Sequence, residues 1–248
     1  MDDNNLNYLV TSILDKLSSQ KKTLANSISS TEYYRGTTMA DMLLQNKKLK
    51  VSLKHGNYKC IPLAFIVNTI HSTNATNVMG HWLTLIIHHI PQKNVLIIRY
   101  FDSFGSRHDK YKHVGQYINN IKSRCKIYGI RFELDRLTRS LQHYDSKLCG
   151  LYAAFAIVSA YVAKNTLSLK KMFSHFKGDG LKNDLRVQKF LYDNYPSSYC
   201  HDNPIYSNMK VSLSRLRVGN HPPPFCPKKT LGLPSCFNKC KCVNDGAC

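Results

Sequence analysis

Cys149 heads a run, Leu151 to Ala163, that holds no charged residue and whose only polar groups are Ser159 and two tyrosine hydroxyls. A run of this kind leaves no face for water, so it predicts a helix that starts at Cys149 and is buried on all sides. The first amides of such a helix have no partner within it, and their aligned dipoles favour a thiolate over a thiol. Cys149 is therefore a candidate nucleophile. Gln142, seven residues earlier, leaves room for a loop to fold back and aim its side-chain amide beside the sulfur. There it could bind a developing oxyanion together with the Cys149 amide. A cysteine at a core helix end also serves as plain packing, and a partner base is what separates the two readings.

That base must come from an element that ends near the sulfur. His81-Trp82-Leu-Thr-Leu-Ile-Ile-His-His reads as a strand, Pro91-Gln-Lys-Asn94 as a turn, and Val95-Leu-Ile-Ile-Arg-Tyr-Phe101 as the returning strand. With the hairpin centred between Gln92 and Lys93, His81 and Asp102 come within two positions of facing each other. Their β-carbons would then lie roughly 5–8 Å apart on a shared face. A carboxylate at that range can orient an imidazole and stabilise its charge. His81, Asp102, Gln142 and Cys149 thus form a set of base, orienter, oxyanion donor and nucleophile.

The remaining elements are read from periodicity. Leu6, Leu9, Val10, Ile13, Leu14 and Leu17 recur at helical spacing, with Asp2 or Asn4 as a cap, and predict an amphipathic helix packed on the body. Residues 18–60 are polar and basic and read as loops with short helical or extended pieces. Ile61 to Ile70 reads as a buried strand with Pro62 near its start. Ile130, Phe132 and Leu134 alternate with charged neighbours, a half-exposed strand leading to Gln142, and residues 181–192, with Leu185, Phe190 and Leu191, read as a helix closed by Tyr195-Pro196. The order is hairpin, strand, loop, buried helix, an α+β fold with a central mixed sheet.

The 248 residues allow one sizeable core with an appendage. The start, Met-Asp-Asp-Asn-Asn, has neither a basic nor an apolar region of the secretory kind, and no apolar run is long enough for a membrane span. Nine cysteines, an odd number crowded toward the end, do not resemble a secreted disulfide framework. Lysine and arginine number 35 against 15 acids, a formal charge of +20 spread along the whole chain and interleaved with tyrosines. An excess of this size and distribution points to a polyanionic partner, nucleic acid in the first place, contacted through phosphates by a folded basic surface.

Four stretches in order resemble the adenain family, the adenovirus-type maturation cysteine proteases: Ile66-Val67-Asn68-Thr69, Gly80-His81-Trp82, Phe101-Asp102-Ser103-Phe104-Gly105, and Gln142 with Cys149-Gly150-Leu151. Weaker similarity at Tyr34 to Thr37 and Gln188 to Tyr199 extends the resemblance over roughly residues 6–200. The resemblance implies an adenain/Ulp1-like protease fold in which Cys149 attacks the scissile carbonyl, His81 takes its proton, Asp102 (a glutamate in adenain) holds His81, and Gln142 lines the oxyanion hole. It implies viral precursor proteins as substrates, glycine before the cut, stimulation by DNA, action in the virion and the host cell nucleus, a monomer, no membrane, and neither a small-molecule cofactor nor a catalytic metal. Trp82 either covers the His81 side of the site or packs in the core. Adenain's peptide cofactor bonds a cysteine that would align near Ile130, whereas Cys125 lies several residues earlier, which leaves peptide activation open.

Residues 1–200 are thus expected to form the protease domain and 201–248 a proline- and cysteine-rich basic extension. In the latter, Cys226, Cys236, Cys240, Cys242 and Cys248, with Cys200, His201 and His221 nearby, either bind zinc or belong to a disordered or disulfide-linked tail. Two alternatives share the sequence features: an isopeptidase for ubiquitin-like modifiers, with the same catalytic order, and a non-enzymatic basic DNA-binding virion protein.

Overall fold

The computed structural model describes residues 3–20, 29–49, 51, 53, 62–70 and 80–194. The expected cysteine-rich extension, the loop before Gly80 and Tyr195-Pro196 lie outside the described residues. A five-stranded sheet runs β1 (Tyr34–Met39), β2 (Leu63–Asn68), β3 (Trp82–Ile90), β4 (Val95–Phe101) and β5 (Arg131–Arg136), in that spatial order. Its central pairs, β2 with β3 and β3 with β4, are antiparallel, and both outer pairs are parallel. The fold is therefore α+β with a mixed sheet.

The hairpin has the expected centre. Ile90 pairs with Val95 and Thr84 with Phe101, a register that sets His81 and Asp102 just beyond the paired ends of the two strands. Pro91–Lys93 form the tight turn, and Asn94 closes it in the left-handed region at φ 47°, a conformation asparagine tolerates.

Helix α1 (Asp3–Gln20) lays all six of its periodic apolar residues, Leu6 to Leu17, into the core, each contributing about 1.5–3 kcal/mol by leaving water. It covers α4 (Cys149–Val162), whose residues Gly150 to Val162 are all buried, because β3 packs on the opposite side and α6 (Gly180–Asn194) fills the flank. Ala153, Ala154, Ala156 and Ala160 let these neighbours approach closely. The short helices α2 (Ser30–Tyr33) and α5 (Leu169–Met172) complete this layer.

The other face of the sheet carries α3 (Lys112–Ile127), which joins the parallel strands β4 and β5; a parallel pair requires such a crossover. Basic residues mask the stripe of this helix: Val114, Tyr117, Ile118, Ile121 and Cys125 recur at helical spacing and are buried against the sheet. Cys125 is a core residue of α3. Strand β1 is one of the short extended pieces expected among residues 18–60; it is an edge strand, polar and only partly buried, so it lacks an apolar alternation. In α6 the side toward the body presents Asn183, Asp184 and Val187, while Leu185 is only half-buried.

Beyond α4, Lys164 and Asn165 take left-handed conformations at φ 49° and 56° and turn the chain back toward the sheet. Buried Arg99 of β4 fastens this turn, donating from Nη2 to the Asn165 carbonyl at 2.8 Å and from Nε to the Leu167 carbonyl at 3.0 Å, with Asp135 3.4 Å away. Arg99→Ala would strand two carbonyls and a half-buried carboxylate. It is expected to cost about 3–5 kcal/mol, read as a lowered urea midpoint; a loss below about 1 kcal/mol would show the turn to be held by packing alone.

Among the described residues, no helix is long and apolar enough to cross a membrane, and no group of three or more His, Cys, Asp or Glu could hold a metal ion.

Candidate active site

The site lies where the open end of the central hairpin meets the N-terminus of α4. Backbone contacts bring His81 there: its N–H donates to the Thr69 hydroxyl at 3.0 Å and its carbonyl accepts from the Thr69 N–H at 3.0 Å, extending the β2–β3 pairing past both strands. A β-carbon on Gly80 would sit 1.9 Å from Asn68 Oδ1, so only glycine permits this approach. The Asn68-Thr69 and Gly80-His81 pairs are thus two halves of one mount.

Asp102 follows the last residue of β4 and has no solvent exposure. Its Oδ1 accepts from His81 Nε2 at 2.7 Å and from the Phe104 N–H at 2.8 Å, and its Oδ2 from the Tyr111 hydroxyl at 3.2 Å. Burial alone would raise its pKa, but the His81 hydrogen bond and charge, the Phe104 amide and the Ser106 hydroxyl outweigh it and hold the carboxyl below its usual range. An ionised carboxylate only accepts, so His81 Nε2 carries a proton and Nδ1 is the nitrogen left for the sulfur.

The His81 side chain and the amides of Trp82 and Gly150 all lie near enough to the Cys149 sulfur to bear on its ionisation. Burial alone would push the thiol up; the hydrogen bond to His81, the Trp82 amide, the His81 charge and the Gly150 amide together bring it below its ordinary value. In His81, burial favours the neutral ring, but the hydrogen bonds to Asp102 and Cys149 and their negative charges prevail, raising its pKa to about 9. The two shifts have one cause. Each ion is stabilised by the other in a place with little water, which favours a thiolate–imidazolium pair. No side chain caps α4 at Leu148, so the helix end presents its partial positive charge to the sulfur.

Gln142 is also brought to this end of the molecule, tethered on both sides. Ser103, next to Asp102, donates its hydroxyl to Gln142 Oε1 at 2.6 Å, while Gln142 Nε2 donates to the Ser146 carbonyl at 2.6 Å. The carbonyl can only accept, which settles which end of the amide is nitrogen. One Nε2 hydrogen remains beyond the bond to Ser146. The main chain repeats the tie, since the N–H groups of Leu141 and Gln142 both reach the Ser103 carbonyl, at 2.8 and 3.2 Å. The structure hydrogen-bonds His81 to Asp102, sets the imidazole beside Cys149, and ties Gln142 to the Asp102 turn through Ser103.

Trp82 is a core residue at 6% exposure, and its backbone amide faces the sulfur. Sequence reading missed several residues of the site. Ser103 stands in the Phe101–Gly105 stretch already singled out, but without a role of its own there; Ser106 is a short polar side chain in the same turn, and Tyr111 could have been noticed only as an aromatic in an otherwise charged stretch. Phe104 and Tyr111 flank the imidazole, with ring centroids 5.1 and 6.3 Å from it.

No family model and no curated protein matches the chain. Among solved structures it is similar to the ASFV pS273R protease, with 18% identity over 75% of this chain and 68% of that one and a TM-score of 0.45. It is also similar to the Chlamydia trachomatis effector ChlaDUB1, with 14% identity, 77% and 87% coverage and a TM-score of 0.40. A third is the central domain of Lpg1148 from Legionella pneumophila, with 12% identity, 87% and 98% coverage and a TM-score of 0.34.

Proposed function

We propose that the chain is a cysteine endopeptidase of the adenain/Ulp1-like type that cleaves viral precursor proteins, with Cys149 as nucleophile, His81 as general base and acid, Asp102 as its orienter and Gln142 as an oxyanion donor. The observation that carries the reading is the line from Asp102 through His81 to Cys149 at an uncapped helix N-terminus, where the carboxylate, the imidazolium and the sulfur are each shifted in the direction acyl transfer requires.

In this mechanism the Cys149 thiolate attacks the substrate carbonyl carbon, and the electron pair moves to the carbonyl oxygen. The free Nε2 hydrogen of Gln142 and the Cys149 amide bind that oxyanion. Protonated Nδ1 of His81 gives its proton to the leaving amine as the C–N bond breaks, leaving a thioester. The now neutral Nδ1 then takes a proton from water, which attacks the thioester and frees the acid and the thiolate. The +20 charge supports DNA as an activator bound through its phosphates, and the same reading places the enzyme in virions and the host nucleus.

Iodoacetamide labelling of the native protein at neutral and mildly acidic pH, with and without DNA, tests the nucleophile. Selective modification of Cys149 well below the ordinary thiol pKa of roughly 8.5 is expected. If Cys149 labels no faster than the other cysteines under every condition, the peptidase reading is lost. On a peptide amide with glycine before the bond, Gln142→Ala is expected to slow hydrolysis about 100- to 1,000-fold while leaving alkylation intact, because alkylation develops no oxyanion. An equal fall in both rates would show that Gln142 supports the fold and not the transition state.

A further inference from the structure

The loop that carries Gln142 has a second anchor, on α6. Asp184, at 4% exposure, receives only donors: the Tyr152 hydroxyl at 2.9 Å, the His143 N–H at 3.4 Å and the Ser146 side chain. The Tyr152 hydroxyl also lies 3.3 Å from the Leu141 carbonyl. That carbonyl accepts in addition from Asn183 Nδ2 at 3.0 Å, and Asn183 Oδ1 is taken by Arg186 at 2.9 Å, which fixes the amide's orientation. Gly180 brings the first turn of α6 against the loop so closely that a β-carbon would stand 2.7 Å from His143 Cα. Leu141, His143 and Ser146 thus surround Gln142 in sequence, and each is tied to α6 or to Tyr152 of α4.

We propose that Asp184, with Tyr152 and Asn183, is a positioning residue for the oxyanion side of the site: it holds the 141–148 loop so that the Gln142 amide keeps its orientation between Ser103 and Ser146. The physical need for it is plain. Irregular backbone has no ladder to stiffen it, and an oxyanion donor must be set in advance to within a fraction of an ångström. A buried carboxylate that gathers the Tyr152, His143 and Ser146 donors supplies that stiffness from two helices already locked in the core. Gln142 is then held at both ends, by Ser103 at the Asp102 turn and by the α6 clamp at the loop. The inference rests on the reading of Cys149 as acyl acceptor, because only acyl transfer makes use of an oxyanion donor.

The test compares wild type with Asp184→Asn and Tyr152→Phe, both close in shape to the native residues. Each is expected to lower kcat about tenfold or more on the glycine-containing peptide amide while KM moves little. Alkylation of Cys149 by iodoacetamide at pH 6–7 is expected to be unchanged, and backbone amides of 142–148 to exchange faster with solvent. In a Gln142→Ala background, Asp184→Asn is expected to add no further loss. Wild-type exchange protection of 142–148 in both variants overturns the clamp whatever the activity. Alkylation falling in step with hydrolysis overturns it too, since the damage would then reach the whole site. A wild-type protein whose Cys149 resists alkylation and which leaves the peptide intact defeats the peptidase reading itself, and the clamp's catalytic role with it.

Discussion

His81→Ala is expected to slow peptide hydrolysis by roughly 10⁵- to 10⁶-fold, as loss of the base does in enzymes whose nucleophile and base act as one unit. Two losses combine. The variant lacks the proton donor for the leaving amine, and Cys149 loses the hydrogen bond and the charge that offset its burial. Burial then dominates and raises the thiol, so fast alkylation at mildly acidic pH is expected to disappear together with hydrolysis. The wild-type pH profile follows from the same pair. Hydrolysis rises as the Cys149 thiol ionises, below the ordinary thiol range, and falls as the His81 imidazolium loses its proton near pH 9. Alkylation, which needs only the thiolate, is expected to persist above that pH. A His81→Ala protein that still alkylates at the wild-type rate at pH 6 would mean that the helix end alone activates the sulfur.

Asp102→Ala is expected to cost about 10⁴-fold in kcat, near the loss seen when a triad carboxylate is removed. Asp102→Asn is expected to retain at least tenfold more activity than the alanine variant. The difference comes from how the donors divide. The donors with fixed hydrogens, His81 Nε2 and the Phe104 N–H, both converge on Oδ1, whereas Oδ2 meets the Tyr111 hydroxyl, which can turn to accept instead. An amide can therefore place its oxygen at Oδ1 and its NH₂ toward Tyr111, keeping the ring orientation and tautomer while losing the charge. Alanine loses both and leaves donors buried without an acceptor. Equal activities for the two variants would mean that the charge, not the alignment, is what His81 requires. Steady-state kinetics on one peptide substrate, with melting temperatures as a control, decides between them.

Much of this site is legible in the amino-acid sequence, for specific reasons. The uncharged, almost wholly apolar residues from Leu151 to Val162 have no stable arrangement except a helix buried on all sides, so the helix start at Cys149 was set by composition. The hairpin about Gln92 and Lys93 has two branched apolar runs of strand length and a turn between them that sets the register, and that register brings His81 and Asp102 together. The six-residue stripe of α1 is equally direct. Charged residues hid the periodicity of α3, and β1, at the edge, has too few buried positions to show an alternation.

What only the tertiary structure decided is how each group is held and shifted. The sequence determined that a cysteine heads a buried helix and that a histidine and an aspartate close a hairpin. It did not determine that Nε2 faces Asp102 and leaves Nδ1 to the sulfur, that Ser103 and Ser146 take both ends of the Gln142 amide, or that Asp184, far along the chain, steadies that loop. Periodic burial is a local property that repeats along the chain and can be read from it. Hydrogen bonds among single polar side chains in loops have no period; they form only once separate elements are brought together, and the low dielectric that moves the pKa values of His81 and Cys149 arises only from that packing.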